Sequence, residues 1–112
     1  MVCLHGFGNT SVAYLHMLQY LHPHFQVHAL DLYGMGLSSR GNWKDDMLPK
    51  DVLSYFVEAV EEWRRGAGLK QFILVGHSFG GYLAAYYTSR YANRVSQLIF
   101  LSPAGMCAWT EE

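Results

Sequence analysis

Four short apolar runs alternate with three segments of helical periodicity, and this alternation constrains the fold more than any other feature of the sequence. The apolar runs are residues 1–4, 25–30, 72–75 and 95–101. The helical segments run from the cap candidates 9–11 through about 21, from 49 to 65 and from about 79 to 91. Strands that alternate with helices form a parallel sheet covered on both faces. The sequence therefore predicts an α/β fold with central parallel strands flanked by helices, and residues 1–112 are one domain or part of one.

Apolar stripes on the helical segments indicate which faces pack. The first helix carries Val12, Leu15, Leu18 and Leu21 at steps of three. The second carries Val52, Phe56, Val60 and Trp63, which leaves Glu58, Glu61, Glu62 and Arg65 largely on other faces. The run Trp63-Arg64-Arg65 is interpreted as the solvated end of that helix. The third carries four tyrosines, which we expect to pack rather than to form a lipid surface: Tyr82, Tyr86, Tyr87 and Tyr91.

Composition excludes several classes of protein. With 51% hydrophobic and 15% charged residues, the chain has a folded composition, and a net charge of -1 without a basic cluster gives no basis for nucleic-acid binding. Glycines and polar residues interrupt the longest apolar stretch, so we expect no membrane span. Cys3 and Cys107 have no CxxC spacing and are predicted to be reduced thiols of an intracellular, cytoplasmic protein.

Residues 72–87 read FILVGHSFGGYLAAYY and contain the pattern G-x-S-x-G. The pattern lies between a buried strand and a helix, as a nucleophile elbow requires. Its glycines permit a tight, strained turn, and the following helix directs its N–H groups towards a developing oxyanion. The alternative is a glycine-rich connection in which Ser78 merely caps the helix. The context favours a nucleophilic serine.

Four blocks together carry a resemblance to a known family. In order and approximate spacing, LHGFG, DLYGMGLSSR, LVGHSFGGYLAAYY and VSQLIFLSPAG resemble strands three to six of the α/β-hydrolase fold. The resemblance implies a sheet with the central strand order 4-3-5-6. Within the family the chain is similar to the lipid-handling subfamily of N-acyl-phosphatidylethanolamine lipases and the lipid-droplet co-activator of triglyceride lipase. Leu37 stands where that subfamily more usually has arginine or lysine. Phe79 stands where it more usually has leucine.

The resemblance implies roles for particular residues. Ser78 would be the nucleophile, and the backbone N–H groups of Phe79 and Phe7 would form the oxyanion hole. His5 would buttress the loop that carries Phe7. No metal and no cofactor is implied.

The neighbouring residues have supporting roles in the same resemblance. Gly6 and Gly8 would let the backbone approach the acyl carbonyl group, while Gly76 and Gly80 would permit the turn around the serine. His77 lies next to the serine in sequence, but such a turn directs neighbouring side chains apart. We expect His77 to be a packing residue rather than the base.

The partners of the serine are missing from the chain. In this fold the order is serine, then Asp or Glu, then His. All six histidines precede Ser78, and the only later carboxylates are Glu111 and Glu112. The counterpart of Asp31 begins a structural turn in the family and is not the triad acid. We therefore expect residues 1–112 to be the incomplete N-terminal or central part of a hydrolase domain, with Met1 not its true start, and to be inactive alone.

The function implied for the longer protein is hydrolysis of carboxylic esters, of a lipid or lysophospholipid, through an acyl-enzyme on Ser78. The resemblance allows peripheral contact with a lipid droplet or with the surface of the endoplasmic reticulum or mitochondria. The alternative is a non-catalytic lipid-binding or lipase-binding module, as in the co-activator branch, which has asparagine in place of the serine. Acyl transfer has no support, because no histidine is followed by an aspartate five positions later.

The sequence contains partial patterns of two other kinds of site. Residues 6–11 follow a strand and open a helix, and Asp31 ends the next strand, as in a dinucleotide-binding unit, but Ser11 replaces the third glycine. His22, His24 and His28 have the ligand type of a metal site but no cysteine or carboxylate cluster joins them, so a solvated turn is favoured.

Overall fold

The computed structural model describes residues 1–106, in which the apolar runs form a four-stranded parallel sheet. The strands are β1 Val2–Leu4, β2 His28–Leu30, β3 Phe72–His77 and β4 Val95–Leu101. They lie in the order β2-β1-β3-β4, and every neighbouring pair is parallel. The predicted α/β class and the predicted order of the central strands are confirmed. β2 is shorter than its apolar run because its partner β1 offers only three residues for pairing.

Helices and 3₁₀ turns connect the strands. They are α1 Leu15–Leu21, α2 Pro49–Gly66 and α3 Phe79–Arg90, with 3₁₀ turns at Ser11–Tyr14 and Ala92–Arg94. The bounds of α2 and α3 lie within one residue of the prediction. Pro49 occupies the first turn of α2, where its missing N–H costs nothing, and Gly68 with φ 68° follows the end of α2. Within residues 1–106, no helix is both long and apolar enough to span a bilayer.

Alternate residues of the strands face two separate clusters, one on each side of the sheet. Val2, Leu4 and Leu74 join the larger cluster with residues of α2 and α3. Cys3 and Val75 pack with Tyr14 on the opposite face. Cys3 is a free thiol whose burial raises its pKa to about 11, so it stays protonated at neutral pH. Cys107 lies outside the described residues.

The apolar stripe predicted on the first helix is wrong. Val12 is 67% exposed and Leu15 is also exposed, whereas Tyr14 is buried against the sheet. The Tyr14 hydroxyl donates to the Leu4 carbonyl oxygen at 2.8 Å. Tyr14 supplies both a large apolar ring and the donor that the buried end of β1 requires, and a leucine or valine could supply only the first.

The tyrosines of α3 and Tyr91, which directly follows α3, pack as predicted, with one exception. Tyr87 is fully buried against Phe72, with ring centroids 5.8 Å apart, and Tyr86 and Tyr91 are packed against the same cluster. The Tyr91 hydroxyl also donates to Glu58 of α2. Tyr82 is the exposed member of the group. These contacts join α3 to α2.

The prediction that Trp63-Arg64-Arg65 is solvated holds for Arg65 but is wrong for Arg64, which is buried together with Glu61. The Glu61 and Arg64 side chains have exposed fractions of 2% and 7%. Arg64 donates from Nε and Nη2 to the two Glu61 carboxylate oxygens, at 2.7 and 2.8 Å, and also to the Leu69 carbonyl group. The Tyr87 hydroxyl donates to the same carboxylate at 2.7 Å. The pair is buried because partners from α3 and from the segment after α2 satisfy its hydrogen bonds.

This buried network should make the stability of the protein depend on acid pH. The Arg64 hydrogen bonds are the main cause that lowers the pKa of Glu61 to about 2 from its ordinary 4.5. A lowered pKa stabilises the fold above pH 4.5, and the contribution, about 3 kcal/mol, is lost as pH falls towards 2. In urea unfolding between pH 5 and 2, Glu61→Gln should therefore show a shallower loss of stability than the wild type. Glu62→Gln, at an exposed neighbouring position, should keep the wild-type slope; equal slopes for both variants would contradict the assignment.

Candidate active site

Ser78 occupies the single residue between β3 and α3 and adopts a strained backbone conformation. Its φ is 51° and its ψ is -118°, a region that a residue with a side chain rarely adopts. Its carbonyl oxygen accepts from the N–H groups of Gly81, Tyr82 and Ala104, and its own N–H donates to the Leu101 carbonyl oxygen at 3.2 Å. Hydrogen bonds to α3 and to the end of β4 thus hold the strained turn in place.

The serine hydroxyl is not used as a helix cap. In the described part of the chain, the Ser78 side chain makes no capping hydrogen bond to α3. The glycine-rich connection with a serine cap, weighed above as the alternative, therefore lacks the hydrogen bond that would define it. The side chain is half-buried at the carboxyl edge of the sheet.

Close backbone approach explains three of the predicted glycines. A Cβ on Gly80 would lie 2.6 Å from the His5 carbonyl oxygen, and a Cβ on Gly76 would lie 2.6 Å from the Gly81 Cα atom. A Cβ on Gly6 would lie 3.2 Å from the Ser78 Cβ atom. Residues 5–11, which we call the 5–11 loop, therefore begin directly against the serine turn.

Gly8 is a glycine for a different reason. Its φ is 68°, in the left-handed region, and a Cβ there would meet nothing within 4 Å. The backbone conformation rather than crowding requires glycine at this position. The left-handed turn allows the 5–11 loop to reverse after Phe7.

Phe7 and Phe79 are brought together beside the serine. Their ring centroids lie 6.2 Å apart in an edge-to-face arrangement, although Phe7 is 81% exposed. The hydrogen bonds within residues 1–106 include none donated by the N–H of either residue. Phe79 is the first residue of α3, where the helix dipole attracts negative charge. Both N–H groups thus lack a hydrogen-bond partner within residues 1–106, and their role as oxyanion donors stays a prediction.

His5 and His77 lie on either side of Gly6. His5 is fully buried; its Nε2 accepts from the Leu32 N–H at 3.0 Å, and its Nδ1 lies 2.7 Å from the Gly6 carbonyl oxygen. Both contacts are satisfied when Nδ1 carries the proton and donates. The His77 Nδ1 is buried, is 3.2 Å from the Cβ position of Gly6, and has no partner within the described residues. His5 is thus placed to buttress the loop and His77 to pack beneath it, while their catalytic relevance stays a prediction.

The Asp31 side chain binds two backbone N–H groups, one from an earlier and one from a later part of the chain. Its two carboxylate oxygens accept from the N–H groups of Ser11, at 2.6 Å, and Leu37, at 2.9 Å. The hydrogen bond from Leu37 is the main cause that lowers the pKa of Asp31, followed by the one from Ser11. These hydrogen bonds tie Asp31 to its own loop and to Ser11, the residue that stands in place of the third glycine of a dinucleotide-binding unit.

The histidines weighed as metal ligands have other surroundings. His22 and His24 are exposed in the turn after α1, and the His28 ring lies 5.2 Å from the Trp63 ring in an edge-to-face contact. Within residues 1–106, no three histidine, cysteine, aspartate or glutamate side chains are grouped to hold a metal ion.

The strand order, the strained serine turn and the adjacent loop agree with a comparison of the whole sequence. The sequence profile of the alpha/beta hydrolase fold matches residues 1–112. The chain belongs to the alpha/beta hydrolase fold family.

Relatives within this family include lipid-handling proteins, as predicted. The 1-acylglycerol-3-phosphate O-acyltransferase ABHD5 of Sus scrofa is 43% identical over 105 residues, which cover 94% of this chain and 30% of that protein. The (lyso)-N-acylphosphatidylethanolamine lipase of Bos taurus is 37% identical over 105 residues, with the same coverage of 94% and 30%. The chain therefore spans about 30% of the length of these curated relatives.

Solved structures of alpha/beta hydrolases resemble the chain closely. A bacterial membrane phospholipase A superposes with a TM-score of 0.83 at 27% identity, covering 98% of this chain and 34% of that one. A marine microorganism esterase superposes with a TM-score of 0.77 at 26% identity, covering 88% of this chain and 35% of that one.

One part of this candidate site was not predicted from the sequence. The contact between Asp31 and Ser11 joins residues that are 20 positions apart. The sequence offered only indirect signals: an aspartate at the end of a strand, before a glycine-rich turn, and a helix start without an acidic residue in its first turn. Neither signal indicates which backbone group the carboxylate binds.

Proposed function

We propose that Ser78 is the nucleophile of a hydrolase of carboxylic esters, and that the chain is the part of this enzyme that carries the nucleophile and the oxyanion hole. The observation that carries the proposal is the strained conformation of Ser78 between β3 and α3, with φ 51° and a hydroxyl group that does not cap the helix. Backbone strain of about 1–3 kcal/mol persists where surrounding structure enforces it, and it is concentrated at functional sites.

In the proposed reaction, the Ser78 Oγ attacks the acyl carbonyl carbon while a histidine removes its proton. The carbonyl oxygen becomes an oxyanion that accepts hydrogen bonds from the Phe7 and Phe79 N–H groups. Collapse expels the alcohol, protonated by the same histidine, and water then releases the acid from the acyl-enzyme. No histidine follows Ser78 in the chain, so the base and its acid are supplied by a part of the protein outside these 112 residues.

The proposed substrates are acyl esters of lipids or lysophospholipids. Two curated relatives are named as an acylglycerol-phosphate acyltransferase and a phosphatidylethanolamine-directed lipase, and two structural relatives as a phospholipase and an esterase. Phe7 and Leu37 are 81% and 100% exposed, and both belong to loops at the end of the sheet that carries Ser78. We propose that this edge meets lipid, at a membrane or droplet surface reached from the cytoplasm.

A non-catalytic lipid-binding module is the second candidate. The observation in its favour is the exposure of Phe7 and Leu37, since apolar side chains at this edge would serve lipid binding with or without turnover. Acyl transfer is not adopted, although relatives are named as acyltransferases, because no histidine in the chain is followed by an aspartate five positions later.

A serine-directed fluorophosphonate tests the proposal in the protein expressed from its natural reading frame. We expect one covalent adduct on the peptide that contains Ser78, no adduct in Ser78→Ala, and full labelling in Ser102→Ala. Ser102 is the matched control because it is the other non-glycine residue with positive φ within residues 1–106, at 44°.

The outcomes separate the two candidates. An adduct confined to Ser78, together with turnover of acyl esters, supports the hydrolase. If the protein binds lysophospholipid vesicles but Ser78 takes up no phosphonate, the hydrolase proposal is wrong and the binding module replaces it.

A further inference from the structure

We propose that Asp31 is a positioning residue that holds the 5–11 loop, and with it the Phe7 N–H, in place for oxyanion binding. The proposal rests on the proposed function, because it assigns a role at the same site. Asp31 does not touch the reacting atoms and acts through the backbone of the loop.

The first support is the way in which the carboxylate bridges two loops. Its Oδ1 accepts from the Ser11 N–H, at the end of the 5–11 loop, at 2.6 Å. Its Oδ2 accepts from the Leu37 N–H at 2.9 Å, and the Ser38 hydroxyl donates to the Asp31 carbonyl oxygen at 2.5 Å. Hydrogen bonds to an ionised carboxylate are short and about twice as strong as neutral ones. Residues 31–38, the 31–38 loop, are thus folded around Asp31 and tied to Ser11.

The second support is an anchor at the other end of the loop. The Leu32 N–H, adjacent to Asp31, donates to Nε2 of the buried His5 ring at 3.0 Å. The 5–11 loop is therefore attached to residues 31 and 32 at its first and last positions. Between these anchors the loop contains Phe7, which is 81% exposed, and the hydrogen bonds within the loop are short-range ones made by His5, Asn9 and Thr10.

This arrangement makes the position of the Phe7 N–H depend on Asp31. The loop has glycine on both sides of Phe7, so apart from the Gly6 contacts with His5 and the serine turn and the Phe7 contact with Phe79, its backbone relies on the two anchors. Displacement of a catalytic group by about 1 Å can cost about a hundredfold in rate. Loss of the Ser11 anchor should therefore weaken transition-state binding without removing any group that contacts the substrate.

Two substitutions break the anchor in different ways. Asp31→Asn converts one acceptor oxygen into a donor, so one of the two N–H groups loses its partner. Ser11→Pro removes the Ser11 N–H and leaves the bond between Asp31 and Leu37 intact. Proline fits there because residue 11 opens a 3₁₀ turn and Thr10 is extended, with φ -144° and ψ 175°. Val57→Ala, in the core far along the chain, is the control for destabilisation alone.

The test measures steady-state hydrolysis of p-nitrophenyl decanoate, inhibition by a trifluoromethyl ketone and the thermal midpoint of the protein expressed from its natural reading frame. For Asp31→Asn and Ser11→Pro we expect kcat to fall by about 10-fold to 100-fold, KM to stay within about twofold, and ketone affinity to fall in parallel with kcat. Val57→Ala should lower the midpoint and leave kcat unchanged. If one loop variant does not fold, the other decides by the same criteria.

The proposal is overturned if either folded loop variant keeps wild-type kcat, or if Val57→Ala loses kcat to the same extent. If kcat falls in Asp31→Asn but not in Ser11→Pro, Asp31 acts only within the 31–38 loop and does not position the 5–11 loop. Failure of the wild type to react with phosphonate or ester would instead contradict the proposed function, so the two failures are distinguishable.

Discussion

Replacing Ser78 with alanine is expected to lower kcat for acyl-ester hydrolysis by about 10⁴-fold to 10⁶-fold, with little change in the free energy of unfolding. The loss is large because no acyl-enzyme can form without the hydroxyl group. Stability should hold because alanine suffers the same backbone strain as serine at φ 51°, and the hydroxyl caps no helix within the described residues. Steady-state kinetics and urea unfolding of the protein expressed from its natural reading frame measure both quantities.

Glycine at the same position provides a sharper control. Ser78→Gly should be as inactive as Ser78→Ala, yet more stable than the wild type by about 1 kcal/mol, because glycine adopts positive φ without a steric cost. A loss of activity together with a gain in stability is expected only if the wild-type serine is held under strain for catalysis. Retention of more than a tenth of wild-type kcat in either variant would contradict the role of Ser78.

A methyl group on Gly80 is expected to destabilise the fold by at least about 3 kcal/mol. The Cβ of Gly80→Ala would overlap the carbonyl groups of Leu4 and His5, and it would lie 2.6 Å from the His5 oxygen. These are backbone atoms at the end of a fully buried strand, so they cannot rotate away as a flexible side chain would. Equilibrium unfolding in urea should show a lower midpoint with an unchanged slope.

Gly66→Ala is the matched control for this prediction. Gly66 is the last residue of α2, and a Cβ there would meet nothing within 4 Å. Because alanine has the higher helix propensity, we expect this variant to be as stable as the wild type or more stable by up to about 1 kcal/mol. If both variants unfold at the wild-type midpoint, the close approach of β1 and α3 at Gly80 is not as described.

The α/β class, the strand order and the bounds of α2 and α3 were predictable because their signals are local or are shared with a family. Apolar runs of strand length alternate with helical periodicity, and Pro49 and Gly68 mark where α2 begins and ends. The serine turn was predictable for the same reason, since glycines flank Ser78 at a strand-to-helix junction. The family resemblance predicted an oxyanion role for the Phe7 and Phe79 N–H groups, which stays a prediction, and it gave no indication that their rings lie 6.2 Å apart.

The errors concern polar or aromatic groups whose partners are distant in sequence. Helical spacing placed Glu61 outside the apolar stripe of α2, but the Tyr87 hydroxyl, 26 positions later, donates to it and allows its burial. The same helical spacing predicted that Val12 and Leu15 are buried. In the structure Tyr14 is buried instead, and its hydroxyl donates to the Leu4 carbonyl oxygen. In both cases a tyrosine lies in the interior, where its hydroxyl forms a hydrogen bond with a buried polar group. A hydropathy pattern gives no information about such hydrogen bonds.

The sequence by itself determined that the chain is an α/β sheet of parallel strands with a serine in a glycine-flanked turn, because steric limits and apolar periodicity act between near neighbours. Only the tertiary structure decided that Asp31 holds Ser11, that His5 meets Leu32, and that Glu61 and Arg64 lie in the interior. The first two contacts join loops that the parallel sheet brings to its carboxyl edge, and the burial of Glu61 and Arg64 depends on Tyr87 of α3 packing against α2. The partners in these hydrogen bonds are therefore set by the folded geometry rather than by spacing along the chain.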